Sequence, residues 1–341
     1  MGVEGAGRQR RRREGALTGY VRDMNARPLG PGQISLRMYP HELPAPECVA
    51  EMLAQAKLAE ASGFDGLMTS EHHGGFRGYI PNPLQLAGWL LEATERIWAG
   101  PCPLLLPLRH WSQVAEELAW LACRFPGRVG AGFAAGGLAQ DFEMAELDFE
   151  QAGKRFRDAL PRIQDALSGR GEEPLALDPA IRACAGAPVP VVAAAQGPVG
   201  ARRAGRLGLG VLYDSLQTLE RMREVSDAHA ESLETGAAAA RIAIRRVWVG
   251  EPPTAEVAEQ MKFYQSYAPG QAKAHWGEGQ ELVRGETPAE LAEGLARVAE
   301  SGRCTAFNLR VHVHGVSAAQ VREQIERVGE ALPAAREGLG S

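Results

Sequence analysis

Little in this chain of 341 residues points to export, to membranes or to thiolate-bound metal. Its five cysteines, Cys48, Cys102, Cys123, Cys184 and Cys304, are odd in number, scattered and nowhere in CxxC spacing. That argues against a disulfide framework and a thiolate zinc site, and for a reducing, cytoplasmic compartment. No stretch approaches the roughly 20 apolar residues of a membrane span. Excess positive charge is missing too: the formal net charge is -5, which excludes a broadly basic nucleic-acid binder. The one basic run, Arg8-Gln9-Arg10-Arg11-Arg12-Arg13, is followed by no apolar segment and is not a secretory signal. Residues 1–32, rich in Gly, Arg and Pro and without periodicity, read as a disordered basic tail.

What is present is a globular composition, 45% hydrophobic with a mean hydropathy of -0.22, enough for a sizeable core. Short apolar runs alternate with helical spacing along the chain. Strand signals fall at Gln33 to Met38, Phe64 to Met68, Ile97 to Leu106, Arg128 to Gly132, Val189 to Ala194, Gly210 to Tyr213, Ile242 to Val249 and Thr305 to Val313. Helical periodicity fills the gaps, as in Pro46 to Ser62, where Val49, Met52, Leu53, Ala56 and Ala59 share a face and Gly63 stands at the stop. About eight strand–helix units with right-handed crossovers predict a (β/α)8 barrel over 33–341. A polar, glycine-rich insertion at 266–285, with His275 and Trp276, precedes the last units as a lid or a surface loop.

The chemistry concentrates where the second strand surfaces. Phe64 to Met68 runs into Ser70-Glu71-His72-His73 and then Gly74-Gly75, with Asn82-Pro83 opening the next helix. In a barrel the C-terminal end of a strand is where catalysis is done. Adjacent polar residues also simply close strands, but the glycines that follow leave room for a ligand to approach. Pro101-Cys102-Pro103 interrupts the third strand with two residues that cannot donate to a ladder, which predicts a bulge.

These segments, with Thr94-Glu95-Arg96-Ile97, Leu105-Leu106-Pro107-Leu108, Gly127 to Gly132, Asp141-Phe142-Glu143 and Val191 to Ala194 leading to Gly197-Pro198, resemble the luciferase-like flavin monooxygenases, single-domain barrels that include bacterial luciferase. The resemblance covers roughly Ile34 to Ala335. It implies an FMN-dependent monooxygenase that takes reduced flavin from a separate reductase, uses dioxygen and oxygenates a small organic substrate. It places proton management on His72, with Glu71 and His73 beside it. It places a cis peptide against the flavin at Cys102-Pro103, with Ala134 and Ala195 nearby, and the flavin phosphate on the turn Gln196-Gly197-Pro198-Val199-Gly200. The chain departs from the family where arginines are usual, at Ala134-Ala135 and Ala152-Gly153, leaving Lys154, Arg155, Arg202 or Arg203 as substitute cations.

Three alternatives stay open at this point: a deazaflavin-dependent oxidoreductase, a flavin-binding barrel with reduced catalysis, and a metal-dependent hydrolase suggested by His312-x-His314 on the last strand together with His72 and His73. In relatives the second and third helices form a dimer face. Leu84, Trp89, Leu90, Trp111, Leu118 and Trp120 supply apolar bulk there, so a homodimer is expected.

Overall fold

The computed structural model describes residues 27–234, 239–267, 270–277 and 282–339. Strands and helices alternate. The strands are β1 (Ile34–Arg37), β2 (Gly66–Thr69), β3 (Trp98–Pro101), β4 (Leu104–Leu105), β5 (Ala131–Ala134), β6 (Val191–Ala194), β7 (Gly210–Leu212), β8 (Arg241–Val249), β9 (Leu282–Gly285) and β10 (Ala306–Arg310). The helices are α1 (Ala45–Ala61), α2 (Pro83–Ala93), α3 (Trp111–Arg124), α4 (Ala139–Met144), α5 (Ala152–Ala166), α6 (Pro179–Ala183), α7 (Pro198–Arg206), α8 (Leu219–Ala230), α9 (Thr254–Tyr267), α10 (Gly270–Lys273), α11 (Pro288–Gly302) and α12 (Ala318–Glu337).

Every ladder is parallel, in the order β3-β2-β1-β10-β8-β7-β6-β5-β4. β3 and β4 are two halves of one strand separated only by Cys102-Pro103, and an Ala99–Val129 bridge joins β3 to the approach to β5. The sheet therefore closes on itself as a (β/α)8 barrel. β9, inside the expected insertion, adds a strand beside β8 that the sequence reading missed. The described remainder of that insertion docks on the loop after β7, where Thr218 N donates to the His275 carbonyl and Trp276 bridges to Gln217.

The strands are buried on both faces because helices cover the outside and side chains fill the inside. Inside, Met68, Trp98, Cys102, Val192, Leu212, Ile242, Ile244 and Ala306 pack as one cluster. Outside, helix faces built at 3.6-residue spacing meet the sheet: Cys48, Met52, Ala56 and Ala59 on α1, and Leu291, Leu295, Val298 and Gly302 on α11. Each such large apolar side chain contributes about 1.5–3 kcal/mol by leaving water. Gly63, at φ 89°, ends α1 in the left-handed conformation expected of it. Asn82 caps α2, its side chain accepting from Gln85 N at 3.0 Å, with Pro83 in the first turn. Among the described residues no helix is long and apolar enough to cross a membrane.

Three expectations need correction. The tail expected over 1–32 does not reach residue 32: Leu29 is buried in the interior cluster, plugging the barrel floor, and Gly32 N donates to the Thr305 carbonyl at 2.7 Å. Residues 1–26 lie outside the described residues. The fourth strand begins at Ala131 rather than Arg128, because Arg128 is engaged in the floor, its guanidinium donating to the carbonyls of Ile97, Leu91 and Thr94. The last strand ends at Arg310, so His312 and His314 lie in the following loop. Among the described residues no group of three or more His, Cys, Asp or Glu is placed to hold a metal ion.

Closure is tightest between β3 and β5. A Cβ on Gly100 would lie 1.8 Å from the Gly130 carbonyl oxygen, a backbone atom beside the Ala99–Val129 bridge. Gly100→Ala is therefore expected to destabilise the fold by about 3 kcal/mol or more in denaturant unfolding, beyond ordinary overpacking. An unchanged unfolding midpoint would show that β3 and β5 are not in register as described.

Candidate active site

Polar side chains gather at the C-terminal end of β2 and in the loop after it. Glu71, just past β2, is a buried carboxylate with both oxygens engaged. Oε2 accepts from Leu105 N at 2.6 Å, and Oε1 accepts from Arg109 Nη2 at 2.8 Å and His73 Nε2 at 3.0 Å. A carboxylate so fully bonded is a pin between the β2 loop and β4. The Glu71 hydrogen bond raises the His73 pKa against the opposing pull of burial.

His72 is held differently. Its Nδ1 lies 2.7 Å from Asp141 Oδ2, and the other oxygen of Asp141 accepts from His73 N at 2.8 Å. Asp141 is buried in the first turn of α4, 69 residues away in sequence. The carboxylate assigns the proton to Nδ1 and leaves Nε2 as the ring nitrogen with an acceptor lone pair. The His72 ring packs between Phe76 and Tyr79, at centroid distances of 4.7 and 4.5 Å. Those rings continue into Tyr39 and into Phe263 and Tyr267 of α9, an aromatic cover over this end of the barrel.

The Cys102-Pro103 peptide is cis, as the resemblance implied. The Cys102 carbonyl accepts from Arg37 Nη2 at 3.1 Å, and burial pushes its thiol up to about 12, so the sulfur is an inert packing group. Ala134 and Ala194 end β5 and β6 half-buried, and Ala195 is buried behind them. The next turn, Gln196 to Gly200, opens α7, with Gly197 at its N-cap and no side-chain cap; Val199 is 70% exposed.

The expected substitute cations point elsewhere. Arg155 donates to the Pro107 carbonyl, Lys154 pairs with Asp158, Arg202 is exposed on α7, and Arg203 has its pKa lowered by burial and by Arg157 and Arg206. The cation at the turn is Arg221 of α8, whose Nε donates to the Gln196 carbonyl at 3.2 Å and whose Nη2 lies where a Gly197 Cβ would come within 2.5 Å. Sequence reasoning missed it, along with Asp141 as the partner of His72, Arg109, and the buried arginines of the strands. The arginines did leave a signal, a basic residue inside each apolar run Ile34 to Met38, Ile242 to Val249 and Ala306 to Val311.

A family model described as luciferase-like monooxygenase matches residues 33–335, and the chain belongs to that family. It is 32% identical over 179 residues to the F420-dependent glucose-6-phosphate dehydrogenase of Beutenbergia cavernae, covering 48% of this chain and 52% of that protein. It is 27% identical over 117 residues to the alkanal monooxygenase alpha chain of Photorhabdus laumondii, covering 34% of this chain and 33% of that one. The chain thus spans about half the length of the first relative and about a third of the second. The oxygenating constituent of 3,6-diketocamphane monooxygenase of Pseudomonas putida, solved with FMN, shares the fold at a TM-score of 0.69, with 17% identity, 89% of this chain and 98% of that chain covered.

The His73–Glu71 pair sets a pH signature. A folded-state pKa above the ordinary 6.5 means that its contribution to stability is complete below that value. The contribution is then lost as pH rises through the raised value. The stability difference between the protein and His73→Gln is expected to be about 1 kcal/mol at acid pH and to fade toward zero in alkali. A difference independent of pH would contradict the pairing.

Proposed function

We propose that this chain is an oxidoreductase that binds reduced FMN, takes up dioxygen and oxygenates a small organic substrate. The observation that carries this reading is the His72–Asp141 pair, a histidine with one nitrogen fixed by a buried carboxylate and its ring under an aromatic cover. When bound, the flavin supplies the oxidising chemistry by reacting with dioxygen. The protein's tasks are to hold the flavin, exclude water and handle one proton.

The residues present fit a flavin phosphate. The first turn of α7 offers unsatisfied N–H groups, and Arg221, which fills the space left by Gly197 and also pairs with Glu224, brings a cation to it. The small residues Ala134 and Ala194 and the Cys102-Pro103 bond would flank the ring. With Val199 at the open surface, the turn suits a flavin that arrives reduced from a separate reductase. Nε2 of His72 exchanges the proton while Asp141 stabilises the charged ring. Glu71 and His73 act as positioning residues for that loop. The five free thiols accord with a cytoplasmic setting.

A deazaflavin-dependent reaction is the second reading, favoured by the 32% identity to the F420-dependent dehydrogenase. The two differ in oxygen uptake, which only the first requires. For a substrate that supports turnover, His72→Ala and Asp141→Asn should each slow product formation by roughly 10²–10⁴-fold while reduced FMN still binds. Wild-type turnover in either variant would remove the proton role.

The reading includes a homodimer. Leu84, Leu90 and Leu118 are buried within the chain, whereas Trp89 is 42% and Trp120 55% exposed on α2 and α3, which an Arg124–Glu92 ion pair links. Sedimentation at micromolar concentration is expected to give a dimer that Trp89→Glu dissociates, and a monomeric wild type would reject it.

A further inference from the structure

Three arginines enter the barrel interior at one level on neighbouring strands. Arg310 and Arg246 are register partners of β10 and β8, and Leu36 pairs with Leu309, which sets Arg37 of β1 level with Arg310. All three are buried. They converge on the Tyr39 phenol: burial alone would raise its pKa, yet the charges of Arg310, Arg37 and Arg246 and a hydrogen bond with Tyr79 bring it below the ordinary value.

Neither Arg37 nor Arg310 meets a carboxylate among the described residues. Arg37 donates to Asn308 Oδ1, Ser70 Oγ and the Cys102 carbonyl. Arg310 donates Nε to the His312 carbonyl at 3.0 Å, is hydrogen-bonded to the Tyr264 side chain, and lies over the Tyr39 ring at 4.2 Å and the Tyr264 ring at 5.6 Å. Cation–π contact and neutral acceptors leave these guanidinium charges without a compensating negative charge. A site that keeps such charges dry is arranged for an anion.

The strand order says where that anion would lie. Around the closed sheet β10 and β8 stand opposite β5 and β3, so Arg310 and Arg246 look across toward the side of Ala134 and Ala194, while Arg37 reaches round to the Cys102 carbonyl. The flavin phosphate has its own place on the turn after β6, with Arg221. On that far side Arg310 is placed to meet another molecule, whose body would lie among Tyr39, Tyr79, Phe76 and Tyr264.

We propose that the organic substrate is an anion, a carboxylate or phosphate ester on an apolar body, and that Arg310, backed by Arg37 and Arg246, receives its charged group. That the anion is the substrate rests on the reading above; that it binds rests on charge and geometry alone. A planar guanidinium pairs two oxygens of either group at once.

The test is calorimetric titration of the full-length protein with benzoate, phenyl phosphate and neutral benzamide, with FMN titrated separately. Benzoate or phenyl phosphate is expected to bind at least about tenfold more tightly than benzamide, the stronger of the two identifying the group. Arg310→Met should abolish that preference and leave FMN affinity within about twofold, and Arg310→Lys should keep part of it. If Arg310→Met does not fold, the wild-type comparison and Arg310→Lys still decide. Equal or undetectable binding of anion and amide, or a preference that survives in folded Arg310→Met, overturns the proposal. So does an Arg310→Met protein that loses FMN but keeps benzoate. If FMN fails to bind at all while benzoate binding still depends on Arg310, the anion site stands and the flavin reading falls.

Discussion

One buried guanidinium ties this end of the barrel together. Arg37, at the end of β1, bonds to Asn308 of β10, to Ser70 just past β2 and to the carbonyl of Cys102 just past β3. Hydrogen bonds from a charged donor away from water are among the stronger ones a protein makes, and removing an acceptor leaves part of a charge unsolvated. Four strand ends are thereby fixed to one another from inside. Ser70 is the residue before Glu71, so the loop that carries both site histidines starts from a point set by the barrel interior.

From that start the loop is secured twice more. Glu71 is bonded to β4 through Leu105 N and to Arg109, and Asp141 bonds both the ring of His72 and the backbone of His73. The two carboxylates are buried and satisfied, a state in which polar groups specify one geometry. The result is a polar loop after β2 whose geometry is set by buried, long-range hydrogen bonds.

Much of the architecture was legible because strand–helix alternation is a local pattern. Pro101-Cys102-Pro103 announced a break in the third strand by itself, since proline cannot donate to a ladder. Glu71-His72-His73 was legible as a site because three titratable groups follow an apolar strand directly. The division of labour among them was not: it depends on Asp141 and Arg109, whose contacts are long-range. A cation for the turn after β6 was expected near the turn itself and on the preceding helix, whereas the one the fold brings there is Arg221 of α8. His312-x-His314 read as strand alternation because Val311 and Val313 flank His312, but the ladder ends at Arg310 and His314 turns out to pair with Glu42. The basic residues of β1, β8 and β10 went unread because an arginine in a short strand ordinarily faces solvent, and only closure of the sheet turns these inward.

On the proposed reading, the turn at α7 and the small residues ending β5 and β6 form a flavin site of FMN type. Anaerobic titration with reduced FMN, reduced riboflavin and reduced deazaflavin tests it most directly. The account predicts a dissociation constant for reduced FMN in about the micromolar range, weakened about tenfold by Arg221→Gln, and riboflavin binding insensitive to that change because it has no phosphate. Binding of the deazaflavin alone, or FMN affinity indifferent to Arg221, would contradict it.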